Sequence, residues 1–181
     1  MYTDVMIDIE TTGLLPDRNA ILQIAAVRFN LKENTVDGNV FNMCLEIPKH
    51  RSWDEGTRHW WSQQNQETLK RIIEQRQDWK LVMTELCKWA APAGSLRFWS
   101  KPSHFDYMFL SSYFHDADLP QMFSYREASD MNTFIRGLYK GLEVPDLGIK
   151  IEQSAAHDAL NDVFHQIELL MSHYNNVMKH A

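Results

Sequence analysis

The sequence predicts an α/β domain in which a mixed sheet, begun by an antiparallel meander and completed by parallel strands, is flanked by α-helices. Three observations carry that expectation. Strand-like apolar runs crowd the first fifty residues, the middle and the end of the chain switch to three-to-four residue spacing, and short strand-like runs recur between the helical stretches. A length of 181 residues allows one sizeable core and is short for two, so residues 1–181 are expected to form a single domain.

In the first strand Val5, Ile7 and Ile9 alternate with Met6, Asp8 and Glu10, which sends Asp8 and Glu10 off one face together. Thr11, Thr12 and Gly13 break it. Ile21 to Phe29 reads as the second strand and Val40 to Ile47 as the third, with Lys32-Glu33-Asn34 and Asp37-Gly38-Asn39 as turns and Pro48 as the close. From Asp54 to Ala91 the apolar residues take helical spacing, through Trp60-Trp61, Leu69, Ile72, Ile73, Trp79, Val82, Met83, Leu86 and Trp89, with Asp78 as an N-cap. Pro92 and Gly94 end that stretch.

Leu96 to Trp99 reads as a short buried strand, Ser100 to Ser103 as the loop leaving it, and Phe105 to Phe114 as a helix. Met122 to Tyr125 is expected to be a last short strand. A helix from Met131 to about Tyr139 follows, with Asp130 at its start. Gly141 to Ala156, carrying Pro145 and Gly148, is expected to be a mobile loop, and Leu160 to Met178 traces one face of a long terminal helix.

Hydrophobic content of 44% and charged content of 23% describe an ordinary soluble globular protein and exclude disorder. No apolar run approaches the roughly 20 residues of a membrane span, and Met1-Tyr2-Thr3-Asp4 lacks the layout of a signal peptide, so a cytoplasmic protein without membrane contact is expected. Cys44 and Cys87 stand far apart without a second ligand at metal spacing, which argues against both a zinc site and a disulfide framework. A net charge of −6 excludes a protein that coats nucleic acid non-specifically. It is compatible with a nuclease, because bound divalent ions reverse the sign of the field at an acidic site.

Two carboxylates leaving one strand face together repel, and a divalent cation between them, or a proton on one, relieves the repulsion. Alone, Asp8-x-Glu10 is equally a solvated acidic turn. Asp106 lies where a loop becomes a helix, a position that the helix dipole stabilises or a ligand set uses. Asp162 falls about 140° from the centre of the terminal helix's apolar stripe, so it faces a cleft or solvent. His157 precedes that helix, with Asp158 as the N-cap.

The conjunction is more specific than its parts. Asp8-x-Glu10-Thr11-Thr12-Gly13, then Phe105-Asp106 entering a helix, then His157-x-Ala159-x-x-Asp162 resembles the DEDDh exonuclease family, with coverage from residue 4 to about 170. Where the usual pattern has Gly-His-Asn before the middle aspartate, this chain has Ser100-Lys101-Pro102-Ser103-His104. With Trp60-Trp61-x-Gln63 and Trp99, that is similar to the branch containing phage-encoded exonucleases and mycobacterial-type exoribonucleases. The departure bears on substrate choice rather than on chemistry.

The resemblance implies a ribonuclease H-like fold and a metal-dependent 3′→5′ exonuclease that releases nucleoside 5′-monophosphates from single-stranded RNA or DNA. Four carboxylates without a thiolate suit two Mg²⁺ or Mn²⁺ ions. By resemblance Asp8 bridges both ions, Glu10 and Asp162 complete the nucleophile-side site, Asp106 holds the other ion directly or through water, and His157 is the general base. Thr11, Thr12 and Gly13 would meet the terminal 3′-hydroxyl and Leu14 would wedge against the last base. Trp60 and Trp61 point about 100° apart on a helix, so one belongs to the core and the other is open to stack on a base; Trp61 is assigned to substrate. The resemblance also leans toward a homodimer, and toward the host cytoplasm if the chain is phage-encoded. The alternative is a non-catalytic nucleic-acid-binding or scaffold module of the same fold, which loss of a carboxylate or of His157 would favour; none is missing.

Overall fold

The structure is a computed structural model and describes residues 1–152 and 157–179. Its strands are β1 (Asp4–Thr11), β2 (Ile21–Asn30), β3 (Thr35–Val36), β4 (Phe41–Leu45), β5 (Arg76–Gln77), β6 (Arg97–Ser100) and β7 (Ala128–Asp130). They form one sheet in the order β5-β4-β2-β1-β6-β7, with β3 paired to the end of β2. The pairs β1–β2, β2–β4 and β2–β3 are antiparallel, and β5, β6 and β7 join parallel to their neighbours. The helices are α1 (Glu55–Trp61), α2 (Gln66–Glu74), α3 (Trp79–Ala90), α4 (Ser103–Asp116), α5 (Met131–Leu138) and α6 (Ala159–Met178).

β1 is flanked on both sides, which explains why its odd and even positions are both largely buried. Val5, Ile7 and Ile9 face Val82, Met83 and Leu86 of α3 and Phe109, Leu110 and Tyr113 of α4. Met6, with Ala25, Val27, Phe29 and Trp99, faces Met131 and Ile135 of α5 and Val163, Ile167 and Leu170 of α6. A smaller cluster of Leu22, Cys44, Trp61 and Ile72 sits under α1 and α2. No helix among the described residues is long and apolar enough to cross a membrane.

The expected helical stretch over 54–91 is three helices. Each has its own side-chain cap, from Asp54 to the N–H of Thr57, Asn65 to that of Glu67, and Asp78 to that of Leu81. Asp130 caps α5 in the same way through Thr133. Met122–Tyr125 is not a strand: Phe123 is a core anchor, Tyr125 opens a 3₁₀ turn over Tyr125–Glu127, and the last strand is the following Ala128–Asp130. Aromatic content there marked a buried plug, while the strand itself is three half-buried residues on the sheet edge. β3 and β5 are two exposed residues each and carry no periodicity to read. Residues 141–152 carry no helix or strand, and the remainder of the expected loop, residues 153–156, lies outside the described residues.

The segment joining β1 to β2 is fixed by a buried arginine rather than by secondary structure. The guanidinium of Arg51 donates to the carbonyls of Pro16 and Asn19, the latter at 2.9 Å, to Ser112 Oγ at 2.7 Å and to Asp116 Oδ2 at 2.5 Å. It lies 4.3 Å from the centroid of the Tyr113 ring, whose hydroxyl accepts the N–H of Ile21 at 2.9 Å. Asn19 adds a second brace, accepting from Leu15 N–H at 2.9 Å and donating to the carbonyl of Ser52 at 3.1 Å. Arg51→Met would leave two carbonyls and Asp116 without this donor, and is expected to cost about 3 kcal/mol. Urea denaturation checks it, and a wild-type midpoint in the variant would show that the arginine does not hold the segment.

Candidate active site

Asp8 and Glu10 occupy even positions of β1, on the face that Met6 presents to α6. The β1–β2 register shifts between Glu10 and Thr11, so the alternation that aims the two carboxylates ends immediately after them. β1 also outruns β6, whose pairing stops at Met6 and Trp99. Beyond that point the N–H of Ile9 donates to Asp106 Oδ1 at 3.1 Å, which draws the first turn of α4 over the end of β6. From α6, Asp162 Oδ2 accepts the N–H of His157 at 3.0 Å.

These five side chains border one cleft of about 360 Å³, together with Lys101, His104 and Phe105. Ligand atoms of Glu10, His157 and Asp162 all lie within 4.8 Å of one another. Sequence reasoning missed one member. Gln166, one helical turn after Asp162, is buried and donates from Nε2 to Asp8 Oδ1 at 2.8 Å. Its spacing of four from Asp162 was the available signal.

Burial pushes Asp8 well above the usual carboxylate range, and the charges of Asp106, Glu10 and Asp162 push it further. Glu10 is raised by burial and then by Asp162 and Asp106. Asp106 is raised to about 7 by burial, although the Ser100 hydroxyl and the N–H groups of Asp106 and Ile9 pull it partly back. Burial raises Asp162 as well, against the pull of the His157 N–H. Among the described residues no lysine or arginine makes an ion pair with any of the four. A buried to half-buried all-oxygen donor set without a cationic partner fits a hard divalent cation, which would relieve the repulsion that protonation otherwise relieves.

A second cavity of about 490 Å³ adjoins the cleft and is lined by Thr11, Leu14, Thr57, Trp60, Trp61 and Phe105, among others. Leu14 is 73% exposed and projects at its rim. Thr11 reaches the cavity, though its hydroxyl donates to the carbonyl of Gly13 at 2.7 Å. Thr12 does not reach it. Its hydroxyl accepts the N–H of Ala20 at 2.7 Å and donates to the carbonyl of Ser52 at 2.8 Å, which makes it a brace of the β1–β2 segment. Gly13 is likewise placed by packing, since a Cβ there would stand 2.3 Å from the Asn19 side chain.

The tryptophan pair also resolves. Trp61, assigned to substrate from the sequence, is 1% exposed, packs with Leu22 and Ile72, and donates from Nε1 to the carbonyl of Thr11 at 3.0 Å. It forms a wall and a tie to the end of β1. Trp60 is the exposed member, and its ring meets that of His157 edge-on with centroids 4.7 Å apart.

Comparison with known proteins gives the chain a family and a fold. Residues 3–173 match the family model of the 3′-5′ exoribonuclease Rv2179c-like domain. No curated protein sequence matches the chain. Among solved structures, the zinc-ion-bound form of Escherichia coli exonuclease I with single-stranded DNA is similar at 17% identity and a TM-score of 0.73, covering 99% of this chain and 42% of that one. The same enzyme with a dT13 oligonucleotide gives 16% identity and a TM-score of 0.73 over 99% and 43%, and with dA16 15% and 0.72 over 99% and 43%. The chain therefore spans less than half of the exonuclease I chains, and at this identity the likeness is one of fold. With the family match running nearly end to end over a ribonuclease H-like sheet, the chain belongs to the Rv2179c-like family of 3′-5′ exoribonuclease domains.

Proposed function

We propose that the chain removes nucleoside 5′-monophosphates one at a time from the 3′ end of single-stranded RNA or DNA, with two Mg²⁺ or Mn²⁺ ions held by Asp8, Glu10, Asp106 and Asp162. One observation carries the reading: four carboxylates from β1, α4 and α6 converge with His157 in a single cleft, beside a pocket of nucleotide size. The ions would supply Lewis acidity, neutralising charge on the scissile phosphate and favouring ionisation of the attacking water. The chain's own residues do the rest. Leu14 and Trp60 hold the terminal base, Phe105 separates the base pocket from the cleft, and His157 takes the proton of the attacking water. Neutral donors on Asp8, Asp106 and Asp162 fix the carboxylates without cancelling their charge.

End-labelled RNA and DNA oligomers, incubated with and without Mg²⁺ and Mn²⁺, test the reading. Metal-dependent shortening from the 3′ end is expected, with much slower cutting of an oligomer that ends in a 3′-phosphate. Equal cleavage of circular single strands would make the protein an endonuclease and remove the terminal pocket from the account.

The proximity of His157 to Glu10 and Asp162 favours a second reading, in which His157 is itself a metal ligand. A general base contributes about 10²–10⁴-fold, so His157→Ala should lower turnover by that order and keep wild-type metal affinity. Recovery of the variant by excess Mn²⁺ would identify a ligand instead.

The apo site should also betray itself in stability. A carboxylate raised in the folded state contributes stability that is fully present below its unfolded pKa, near 4, and is lost as pH rises through its folded value, about 7 for Asp106. Metal-free Asp106→Asn lacks that loss, so its stability relative to wild type should grow from pH 5 to pH 8, by on the order of a few kcal/mol. Mg²⁺ should narrow the gap by binding the native wild type. A difference independent of pH, read by urea titration, would contradict the assignment.

A further inference from the structure

His157 holds a left-handed backbone conformation, with φ at 62°, that side chains other than glycine rarely adopt. Such a conformation persists where neighbouring contacts impose it. On one side the N–H of His157 is tied to Asp162. On the other, the next residue is held from three directions: Asp158 Oδ1 caps the N–H of Leu160 at 3.1 Å and accepts from Gln23 Nε2 at 3.5 Å, while Oδ2 is ion-paired with the guanidinium of Arg71. Gln23, fully buried on β2, also accepts the N–H of Ala159 on its Oε1 at 3.2 Å.

Capping α6 does not require a charge at position 158, because asparagine caps a helix about as well as aspartate. Arg71 is what uses that charge. It belongs to α2, which packs on the core through Ile72 and the partly buried Leu69, and it lines neither the cleft nor the base pocket. The pair is half-buried, with side-chain exposures of 33% and 16%. It joins α2 to the chain one residue from the imidazole.

We propose that Arg71 is a positioning residue for His157: its ion pair with Asp158 docks the start of α6 and so sets the imidazole beside Glu10 and Asp162. The proposal rests on the reading of His157 as the general base. Its signature is a loss that disappears when the histidine is gone.

The test uses the full chain with Arg71→Met and, separately, Asp158→Asn, which keeps the cap. Each is measured with His157 intact and in a His157→Ala background, on a single-stranded oligomer with Mn²⁺. Misplacing a catalytic group by about an ångström costs up to about 10²-fold, so kcat should fall about 10- to 100-fold with KM nearly unchanged. In the His157→Ala background neither substitution should lower kcat further. In metal-free Arg71→Met, the His157 ring resonances should move in NMR spectra of histidine-labelled protein, with the melting temperature close to that of the wild type. An equal loss in both backgrounds, a change in KM alone, or an unchanged kcat would overturn the proposal. If the wild type hydrolyses no 3′ end, the exonuclease reading fails by itself, and the NMR comparison still decides: unmoved His157 resonances would overturn the role of Arg71.

Discussion

Mutual repulsion among Asp8, Glu10, Asp106 and Asp162 is the constraint that the surrounding structure has to contain. The four groups come from three elements and share one cleft without a lysine or arginine ion pair among the described residues. Each tether on them is a neutral donor. The N–H of Ile9 holds Asp106, that of His157 holds Asp162, and the amide of Gln166 holds Asp8. A cationic partner would have bound more strongly and cancelled the charge. Neutral donors fix orientation and leave the negative field intact, which is the condition for attracting a cation from solution.

The arginines stand one layer further out. Arg51 gathers the β1–β2 segment onto α4, and Arg71 ties α2 to the cap of α6. Arg51 acts on backbone carbonyls, Ser112 and Asp116, and Arg71 on a capping carboxylate, so the strong charge-assisted bonds shape the frame and the weaker neutral ones touch the site. Gly13 belongs to the same frame, because the Asn19 side chain occupies the space that any larger residue would need.

What could be read in the sequence follows from this layering. Asp8 and Glu10 were legible because a central strand keeps strict alternation up to the bulge after Glu10. Asp106 and Asp162 were legible only in conjunction, since a carboxylate in the first turn of a helix has an ordinary local explanation. Gln166 was legible only through its spacing of four from Asp162, and that spacing does not name its partner, which lies 158 residues away. The tryptophan pair defeated periodicity because a rotation of about 100° leaves both rings plausible. What decides is the carbonyl of Thr11, which gives Trp61 Nε1 a buried acceptor. Thr12 and Gly13 were assigned to substrate by resemblance, while the Thr12 hydroxyl is engaged with Ala20 and Ser52 and the Asn19 side chain fills the space beside Gly13.

Ile9, Glu10 and Phe105 border both the acidic cleft and the adjoining pocket. On the proposed function, a common wall means that selectivity and rate share an inheritance. A change at Phe105 that widened the pocket for one base would also displace the turn carrying Asp106, so variants chosen for preference would drift in speed. Asp54, Gly56 and Thr57 line the pocket alone, on the N-terminal turn of a helix the cleft does not touch. On the proposed function, a change at that rim would alter which base the pocket accepts without touching the acidic cleft.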